Sequence, residues 1–133
     1  MRILFLCTGN SCRSQMAEGL ANHLGRGRVE AFSAGVAPAS RVMPGAVAAM
    51  REVGVDISGA RPKHADTFVG EAFDFIITLC DNANENCPHF PGKATRLHWP
   101  IADPYGPDLE PYRRAREEIR ERLEALFKVT KEL

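Results

Sequence analysis

The chain has 133 residues, of which 44% are hydrophobic and 26% are charged. At this length one soluble globular domain buries roughly two-thirds of its unfolded surface and needs no disulfide to fold. Lys and Arg together number 17, as do Asp and Glu, so no net charge favours nucleic acid or an anionic membrane as a partner. No apolar stretch of the sequence approaches the roughly 20 residues of a membrane span. We therefore expect one soluble domain, residues 1–133, without a nucleic-acid or membrane partner.

The first half of the chain predicts two strands and two helices. A short apolar run at 3–6 is typical of a strand buried on both faces, and apolar residues at helical spacing over 14–24 predict an amphipathic helix that Gly25 ends. A second strand follows at 29–33. Pro44 then begins a helix that Gly54 ends.

The second half repeats this alternation. It predicts a weaker helix at 65–72, strands at 74–79 and 95–99, a polar loop over 80–94, and a last helix from about Glu110. The apolar face of the last helix consists of Tyr112, Ala115, Ile119, Leu123 and Leu126. Strands that alternate with helices imply an α/β fold with right-handed crossovers. We expect three layers, with a central four-stranded parallel sheet flanked by helices.

Four cysteines, at positions 7, 12, 80 and 87, are the informative part of the composition. A secreted disulfide scaffold can contain four, but the apolar run at 3–6 is too short for the core of a signal peptide. Reduced thiols in a cytoplasmic protein are therefore the better expectation. In such a protein cysteines are more often buried, catalytic or metal-binding than structural crosslinks.

The segment 7–14 joins the first predicted strand directly to the first predicted helix and has the pattern Cys-x5-Arg-Ser. At such a junction the N–H groups of a tight turn and the positive end of a helix form a concave site for a tetrahedral oxyanion. Arg13 can bind two oxygens of that anion. The same positive field favours the thiolate of Cys7, which the Ser14 hydroxyl can stabilise. The predicted oxyanion-binding residues are Thr8, Gly9, Asn10, Ser11, Cys12, Arg13 and Ser14.

A simpler interpretation of this segment stays open. Cys7 can be a small buried residue at the end of a strand, and Arg13 a surface charge. The strand, the glycine and the helix in register favour the anion site instead. Cys12, one residue before Arg13, is expected to be structural rather than catalytic.

Cys80 and Cys87 enclose a polar loop after the strand predicted at 74–79. Ligands of parallel sheets bind outside the carboxyl ends of the strands, so Cys7 and Cys80 should share one edge of the sheet. If 80–87 is helical in the reduced protein, the two Cα atoms are roughly 10 Å apart, whereas a disulfide tolerates about 7 Å. We expect the loop to unwind on oxidation. A zinc site is the competing interpretation, with ligands Cys80, Cys87, His89 and His98, although Cys-x6-Cys is wider than the usual spacing.

Asp103 follows the strand predicted at 95–99, again at the carboxyl edge. A loop carboxyl held by Pro104 can approach the anion site and protonate a leaving oxygen, so Asp103 is a candidate general acid. An Asp-Pro pair is also a common turn initiator, and that alternative stays open. Asp81, Asp108 and His64 have no comparable placement.

Motifs along nearly the whole chain resemble the thioredoxin-coupled arsenate reductases, which share their fold with the low-molecular-weight protein tyrosine phosphatases. The motifs are Cys-Thr-Gly-Asn-Ser-Cys-Arg-Ser-Gln-Met-Ala-Glu (7–18), Ser-Ala-Gly (33–35), Asp-Ile-Ser (56–58), Thr-Leu-Cys (78–80), Asn-Cys-Pro (86–88), His-Trp (98–99) and Asp-Pro (103–104). The first motif does not separate reductase from phosphatase. The Cys80/Cys87 pair favours the reductase.

The resemblance implies a reaction. Arsenate, with which phosphate and sulfate compete, binds in the loop, and Cys7 attacks arsenic while Asp103 assists the departure of water. Cys80 then attacks the sulfur of Cys7, which releases arsenite and leaves a transient Cys7–Cys80 disulfide. Cys87 next attacks Cys80, and thioredoxin reduces the resulting Cys80–Cys87 disulfide. We expect a cytoplasmic monomer that serves arsenic detoxification, with no cofactor and no metal.

Two other functions stay open beside the reductase. Tyr105 beside Asp103 can line a phenyl slot, which favours phosphotyrosine hydrolysis through a phosphorylated Cys7. Three convergent thiols also suffice for a non-enzymatic module that binds arsenite or a metal, but that function leaves Arg13 and Asp103 without a role.

The resemblance also implies an alkali cation near the loop in some members of the family. Its ligands match Asn10, Glu18 and Ser33 here, together with an acidic residue whose nearest equivalent in this chain is Lys63. The ammonium of Lys63 can replace the cation. A potassium requirement is therefore not expected.

Overall fold

The structure is a computed structural model that describes residues 1–90 and 92–130. Its sheet contains four strands: β1 (Arg2–Cys7), β2 (Glu30–Gly35), β3 (Phe75–Thr78) and β4 (Thr95–His98). The strand order is β2-β1-β3-β4, and all neighbouring pairs are parallel. The predicted α/β fold with a four-stranded parallel sheet is confirmed.

Within residues 1–90 and 92–130, four α-helices connect or follow the strands. They are α1 (Arg13–Leu24), α2 (Pro44–Arg51), α3 (Asp81–Glu85) and α4 (Glu110–Thr130). Gly25 ends α1 as predicted, since its N–H donates to the carbonyl of Ala21. Over the described part of the chain, no helix is both long and apolar enough to cross a membrane. The predicted domain extends to residue 133, and its positions 131–133 lie outside the described residues.

The two faces of β1 divide the protein into layers. Ile3 and Phe5 point into a core formed with α1, α2 and α4, while Leu4 and Leu6 point into a second, smaller core. All four side chains are fully buried, as the continuous apolar run predicts. The second core contains the aromatic rings of Phe32, Phe68, Phe73 and Phe90, which pack edge to face or tilted. The sheet therefore lies between two apolar layers, and its carboxyl edge is left for loops.

The predicted bounds of β1, α1, β3 and β4 differ from the observed ones by one residue at one or both ends, and three other elements differ in further ways. The second strand extends over 30–35 rather than 29–33, because β2 pairs with β1 as far as Gly35 beside Cys7. The helix α2 ends at Arg51, and the chain reverses at Gly54, which has a positive φ of 77°. The predicted helix at 65–72 is a 3₁₀ turn, Ala65–Phe68, because Phe68 turns into the second core.

The loop predicted over 80–94 contains the one-turn helix α3, so that prediction is wrong for 81–85. The sulfur of Cys80 accepts from the N–H of Ala83 and caps the helix, and Ala83 is fully buried. In α4 the buried residue after Leu123 is Phe127, four positions later, whereas Leu126 is partly buried. The position Pro91 of the predicted loop lies outside the described residues.

Candidate active site

The loop between β1 and α1 surrounds the sulfur of Cys7. Cys7 is buried, its sulfur accepts from the backbone N–H of Asn10 at 3.3 Å, and it lies 2.8 Å from Oγ of Ser14. Within the described part of the chain, no side chain caps the N-terminus of α1, which begins at Arg13. The N–H groups of this first turn are therefore available to an anion, and anion binding here stays a prediction.

Asn10 sets the curvature of this loop. It is fully buried and has a positive φ of 51°, a conformation that asparagine tolerates better than most residues. Its side-chain amide donates to Oγ of Ser14 at 2.8 Å, and its Oδ1 accepts from the backbone N–H of Lys63 at 2.9 Å. These bonds hold the loop in one shape before any ligand binds.

Gln15 fixes the loop from the side of the helix and was missed by the sequence analysis. Its Nε2 donates to the carbonyl and the Oδ1 of Asn10 and to the carbonyl of Arg61. Gln15 is 1% exposed. Its Oε1 has no hydrogen-bond partner among the described residues. The motif Ser-Gln-Met-Ala-Glu contains Gln15, but a helical pattern by itself does not show that a polar residue faces inward.

The residues expected around an alkali cation form two separate pairs of hydrogen-bonded residues, Ser33 with Glu18 and Lys63 with Asn10. Oγ of Ser33 donates to Oε1 of Glu18 at 2.8 Å. Lys63 reaches Asn10 through its backbone N–H, while its ammonium donates to the carbonyl of Arg61 at 3.0 Å. The replacement of a cation by this ammonium stays a prediction.

Arg13 and Asp103 lie together at the rim of the loop. The Arg13 guanidinium donates to the carbonyl of Ile101 at 3.0 Å, and its other nitrogen is 3.6 Å from Oδ1 of Asp103. The Arg13 side chain is 12% exposed, whereas that of Asp103 is 68% exposed. The structure thus brings the predicted anion-binding arginine and the predicted general acid next to each other, with the acid on the solvent side.

Cys12 differs from the other three cysteines. It is buried beside the loop, and burial raises the pKa of its thiol to about 12, with Asp103 and Cys7 adding to the effect and Arg13 opposing it. The thiol therefore stays protonated near neutral pH. A protonated thiol is a poor nucleophile, and the structural role expected for Cys12 stays a prediction.

Cys80 lies beside the loop, because β3 ends next to β1 at the same edge. Its sulfur is 3.2 Å from Oγ1 of Thr8 and accepts from the N–H of Ala83 at 3.4 Å. The amide of Asn82 also donates to Oγ1 of Thr8 at 3.1 Å. Thr8 thus connects the loop to α3 and brings the second thiol to the rim of the site.

Cys87 lies beyond the far end of α3. It is half-buried against the second core, and its thiol is 3.4 Å from the carbonyl oxygen of Pro88. The guanidinium of Arg96 donates to its sulfur. Burial raises the pKa of the Cys87 thiol, and the Arg96 guanidinium opposes that rise. All four cysteines are free thiols in this structure.

His98 connects the end of β3 to the start of α3. Its Nδ1 is 2.7 Å from Oγ1 of Thr78, and its Nε2 is 3.0 Å from Oδ1 of Asp81. Asp81 therefore has a place at this edge that the sequence analysis did not assign. Among the described residues there is no group of three or more His, Cys, Asp or Glu side chains that could hold a metal ion. The zinc interpretation of Cys80, Cys87, His89 and His98 has no such group to rest on.

The fold and the loop together define a class of protein. A parallel α/β sheet that presents a buried thiol within a turn of backbone N–H groups is the arrangement of cysteine-dependent enzymes that act on tetrahedral oxyanions. The chain belongs to the low-molecular-weight phosphotyrosine protein phosphatase family, which it matches over residues 2–133.

The chain is similar to several arsenate reductases in sequence and in structure. Arsenate reductase 1 of Staphylococcus epidermidis is 42% identical over 122 residues, which are 92% of each chain. An arsenate reductase solved in the phosphate-binding state is 38% identical over 96% of both chains, with a TM-score of 0.81. A thioredoxin-dependent arsenate reductase of Corynebacterium glutamicum is 35% identical over 96% of this chain and 60% of that chain, with a TM-score of 0.77. The resemblance stated from the motifs is confirmed.

Proposed function

We propose that the chain reduces arsenate to arsenite by a relay of three thiols, and that thioredoxin returns it to the reduced state. The observation that carries the proposal is the contact between Thr8 and Cys80, with Oγ1 and the sulfur 3.2 Å apart. Phosphate hydrolysis at Cys7 has no use for a second thiol at the rim of the loop. The similarity to arsenate reductases, one of them thioredoxin-dependent, supports the same conclusion.

The first step uses the anion site. Arsenate is bound by the N–H groups of the loop and of the first turn of α1, and Arg13 holds two of its oxygens. The thiolate of Cys7 attacks arsenic and forms an S–As bond. One arsenate oxygen leaves as water, with a proton from Asp103, which lies 3.6 Å from Arg13.

The second step transfers the electrons. The thiolate of Cys80 attacks the sulfur of Cys7, so an S–S bond forms and the S–As bond breaks. The electron pair of that bond stays on arsenic, which is reduced from As(V) to As(III) and leaves as arsenite. The two thiols are oxidised to the Cys7–Cys80 disulfide. Thr8 and the N–H of Ala83 hold the Cys80 sulfur at the position from which it attacks.

The third step moves the disulfide away from the loop. The thiolate of Cys87 attacks the sulfur of Cys80, the Cys80–Cys87 bond forms, and Cys7 leaves as a thiolate. A fully helical path from 80 to 87 would separate the two Cα atoms by roughly 10 Å, α3 makes 81–85 of this path helical, and a disulfide needs about 7 Å or less. Unwinding of α3 accompanies this step. Thioredoxin then reduces the exposed disulfide by thiol–disulfide exchange.

Turnover of arsenate with thioredoxin, thioredoxin reductase and NADPH tests the relay. We expect Cys7→Ser, Cys80→Ser and Cys87→Ser each to lose multiple turnover. Cys12→Ser is the matched control and should retain it, since the Cys12 thiol stays protonated. Full multiple turnover by Cys87→Ser would show that the relay is wrong.

Phosphatase activity is the second candidate function, and the surroundings of Tyr105 favour it. Tyr105 is 80% exposed and, with Asp103, Pro104 and Arg114, lines a groove of about 510 Å³ beside the anion site. An aromatic phosphate monoester can place its ring in such a groove. Hydrolysis of p-nitrophenyl phosphate should be lost in Cys7→Ser but retained in Cys87→Ser. If Cys7→Ser still hydrolyses this substrate, the assignment of Cys7 as the nucleophile is wrong for both functions.

A further inference from the structure

Arg96 lies on the same side of the sheet as Cys87. Arg96 is on the edge strand β4 and is paired in register with Ile76 of β3, which is paired in turn with Leu4 of β1. Side chains in register on parallel strands point to the same face, and Leu4 and Ile76 both point into the second core. Cys87 packs against that core as well. The guanidinium of Arg96 therefore reaches the Cys87 sulfur from a fixed strand.

The two influences on the Cys87 thiol oppose one another. Burial raises the pKa of the thiol because a half-buried site disfavours the thiolate, and Arg96 lowers the pKa through its charge and its hydrogen bond. Of the charged groups in the described part of the chain, it is Arg96 that contacts this sulfur. The thiolate is the form of cysteine that attacks a disulfide. The fraction of Cys87 that can react at neutral pH thus depends on Arg96.

We propose that Arg96 is a further catalytic residue, whose guanidinium stabilises the thiolate of Cys87 that attacks Cys80. This inference rests on the proposed relay. The proton of the Cys87 thiol goes to solvent before the attack. The Cys80–Cys87 bond then forms, the Cys7–Cys80 bond breaks, and the electron pair leaves with the Cys7 sulfur, toward which the N–H of Asn10 is directed. Arg96 is neither oxidised nor reduced.

The contact between Arg96 and Cys87 suits a thiol that must be reactive and must also move toward Cys80. A thiol with a high pKa gives a strongly nucleophilic thiolate, although less of it is present. Arg96 increases the amount of thiolate without moving with α3, because its backbone is fixed by the pairing of β4 with β3. When α3 unwinds, the Cys87 sulfur leaves the guanidinium and its charge is no longer stabilised there. The thiolate is therefore produced in one place and used in another.

Alkylation of Cys87 measures the effect directly. In a Cys7→Ser/Cys80→Ser background, the rate of reaction with iodoacetamide is followed by mass spectrometry of the Cys87 peptide between pH 6 and pH 12, so that the plateau above the raised pKa of this thiol is reached. The quantity compared is the ratio of the alkylation rate at pH 7 to the plateau rate at high pH. We expect Arg96→Gln to lower this ratio about tenfold, since one pKa unit changes the thiolate fraction tenfold. Arg96→Lys should retain most of the rate. Arg26→Gln, which removes an exposed arginine after α1, is the control for net charge.

An unchanged ratio between the rate at pH 7 and the plateau in Arg96→Gln would overturn the inference. Normalising to the plateau removes any change in the accessibility of the sulfur, because accessibility affects the rate at every pH. An equal slowing in Arg26→Gln would also overturn the inference, since the effect would then come from net charge.

Acid-quenched single turnovers separate this inference from the relay itself. In Arg96→Gln, release of the first arsenite should match the wild-type rate, whereas the Cys80–Cys87 disulfide should form about tenfold more slowly. If Cys87→Ser sustains full turnover with thioredoxin, the relay fails. If Cys87→Ser stops after one arsenite but Arg96→Gln forms the second disulfide at the wild-type rate, the relay stands and the role of Arg96 is wrong.

Discussion

Gly35, the last residue of β2, lies against the anion-binding loop. A Cβ atom at Gly35 would be 2.5 Å from the carbonyl oxygen of Thr8 and 3.0 Å from the backbone nitrogen of Asn10. Both atoms belong to backbone, so neither can rotate away as a flexible side chain would. The change Gly35→Ala must therefore displace the loop or separate it from β2.

The expected cost follows from these contacts. Overpacking by one methyl group against fixed neighbours costs about 1–3 kcal/mol. For a chain of this size, 1 kcal/mol corresponds to roughly 3–5 °C in Tm, so Gly35→Ala should melt roughly 3–15 °C below the wild type. The same displacement moves the N–H of Asn10, which donates to Cys7. Affinity for phosphate should fall about tenfold for each 1.4 kcal/mol that the loop loses.

Thermal unfolding and calorimetric titration with phosphate measure the two effects. Gly59→Ala is the matched control, because a Cβ atom at Gly59 meets no heavy atom within 4 Å among residues 1–90 and 92–130. We expect Gly59→Ala to keep the wild-type phosphate affinity. If Gly35→Ala has the same Tm and the same Kd for phosphate as Gly59→Ala, the close approach of β2 to the loop does not shape the anion site.

Three other predictions concern single side chains. Thr8→Val, which keeps the shape but removes the hydroxyl beside Cys80, should slow formation of the Cys7–Cys80 disulfide in acid-quenched samples; an unchanged rate would mean that this contact does not position Cys80. Cys12→Ala should leave the rate of Cys7 alkylation within about twofold of wild type, because a thiol with a pKa of about 12 carries no charge at pH 7; a larger change would contradict the structural role. Hydrogen bonds from Arg113 and Arg116 hold the pKa of Glu52 at about 2, below its unfolded value of 4.5, so the stability they contribute is present above pH 4.5 and is lost as the pH falls toward 2. Urea midpoints measured from pH 6 to pH 2 should therefore fall less steeply for Glu52→Gln than for the wild type, and parallel curves would refute the coupling.

The sequence was most informative where structure is local. The run at 3–6, the loop that follows and the helix from 14 are contiguous, so their arrangement follows from strand and helix signals alone. The pairing of Cys7 with Cys80 at one edge needs only the rule that parallel strands end together. These parts of the fold were predicted because local signals place them, although the long-range contacts of Asn10 and Gln15 with Lys63 and Arg61 that fix the shape of the loop were not predicted.

The wrong predictions concern elements whose conformation depends on tertiary contacts. The helix α3 has five residues, too few for a periodic pattern, and it exists because Ala83 is buried and the Cys80 sulfur caps it. A one-residue difference between Leu126 and Phe127 reflects the drift of a helix away from a fixed repeat. Arg96 lies on β4 and Cys87 lies at the end of the polar segment 80–87. Nothing in the sequence spacing of the two residues indicates that their side chains are in contact.

The attachment of α3 to the rest of the protein has a mechanical consequence. Its one buried side chain is Ala83, and burial of a methyl-sized group contributes about 1 kcal/mol. Ala83 belongs to the edge of the second core, whereas the described part of the larger core between the sheet and the three longer helices contains no residue of α3, so this turn can open without disturbing that larger core. Amide hydrogens of 81–85 should exchange with deuterium far faster than those of β1. A protein built this way separates two requirements that usually conflict, since the frame that shapes the anion site stays rigid while the segment between two thiols changes conformation at little cost.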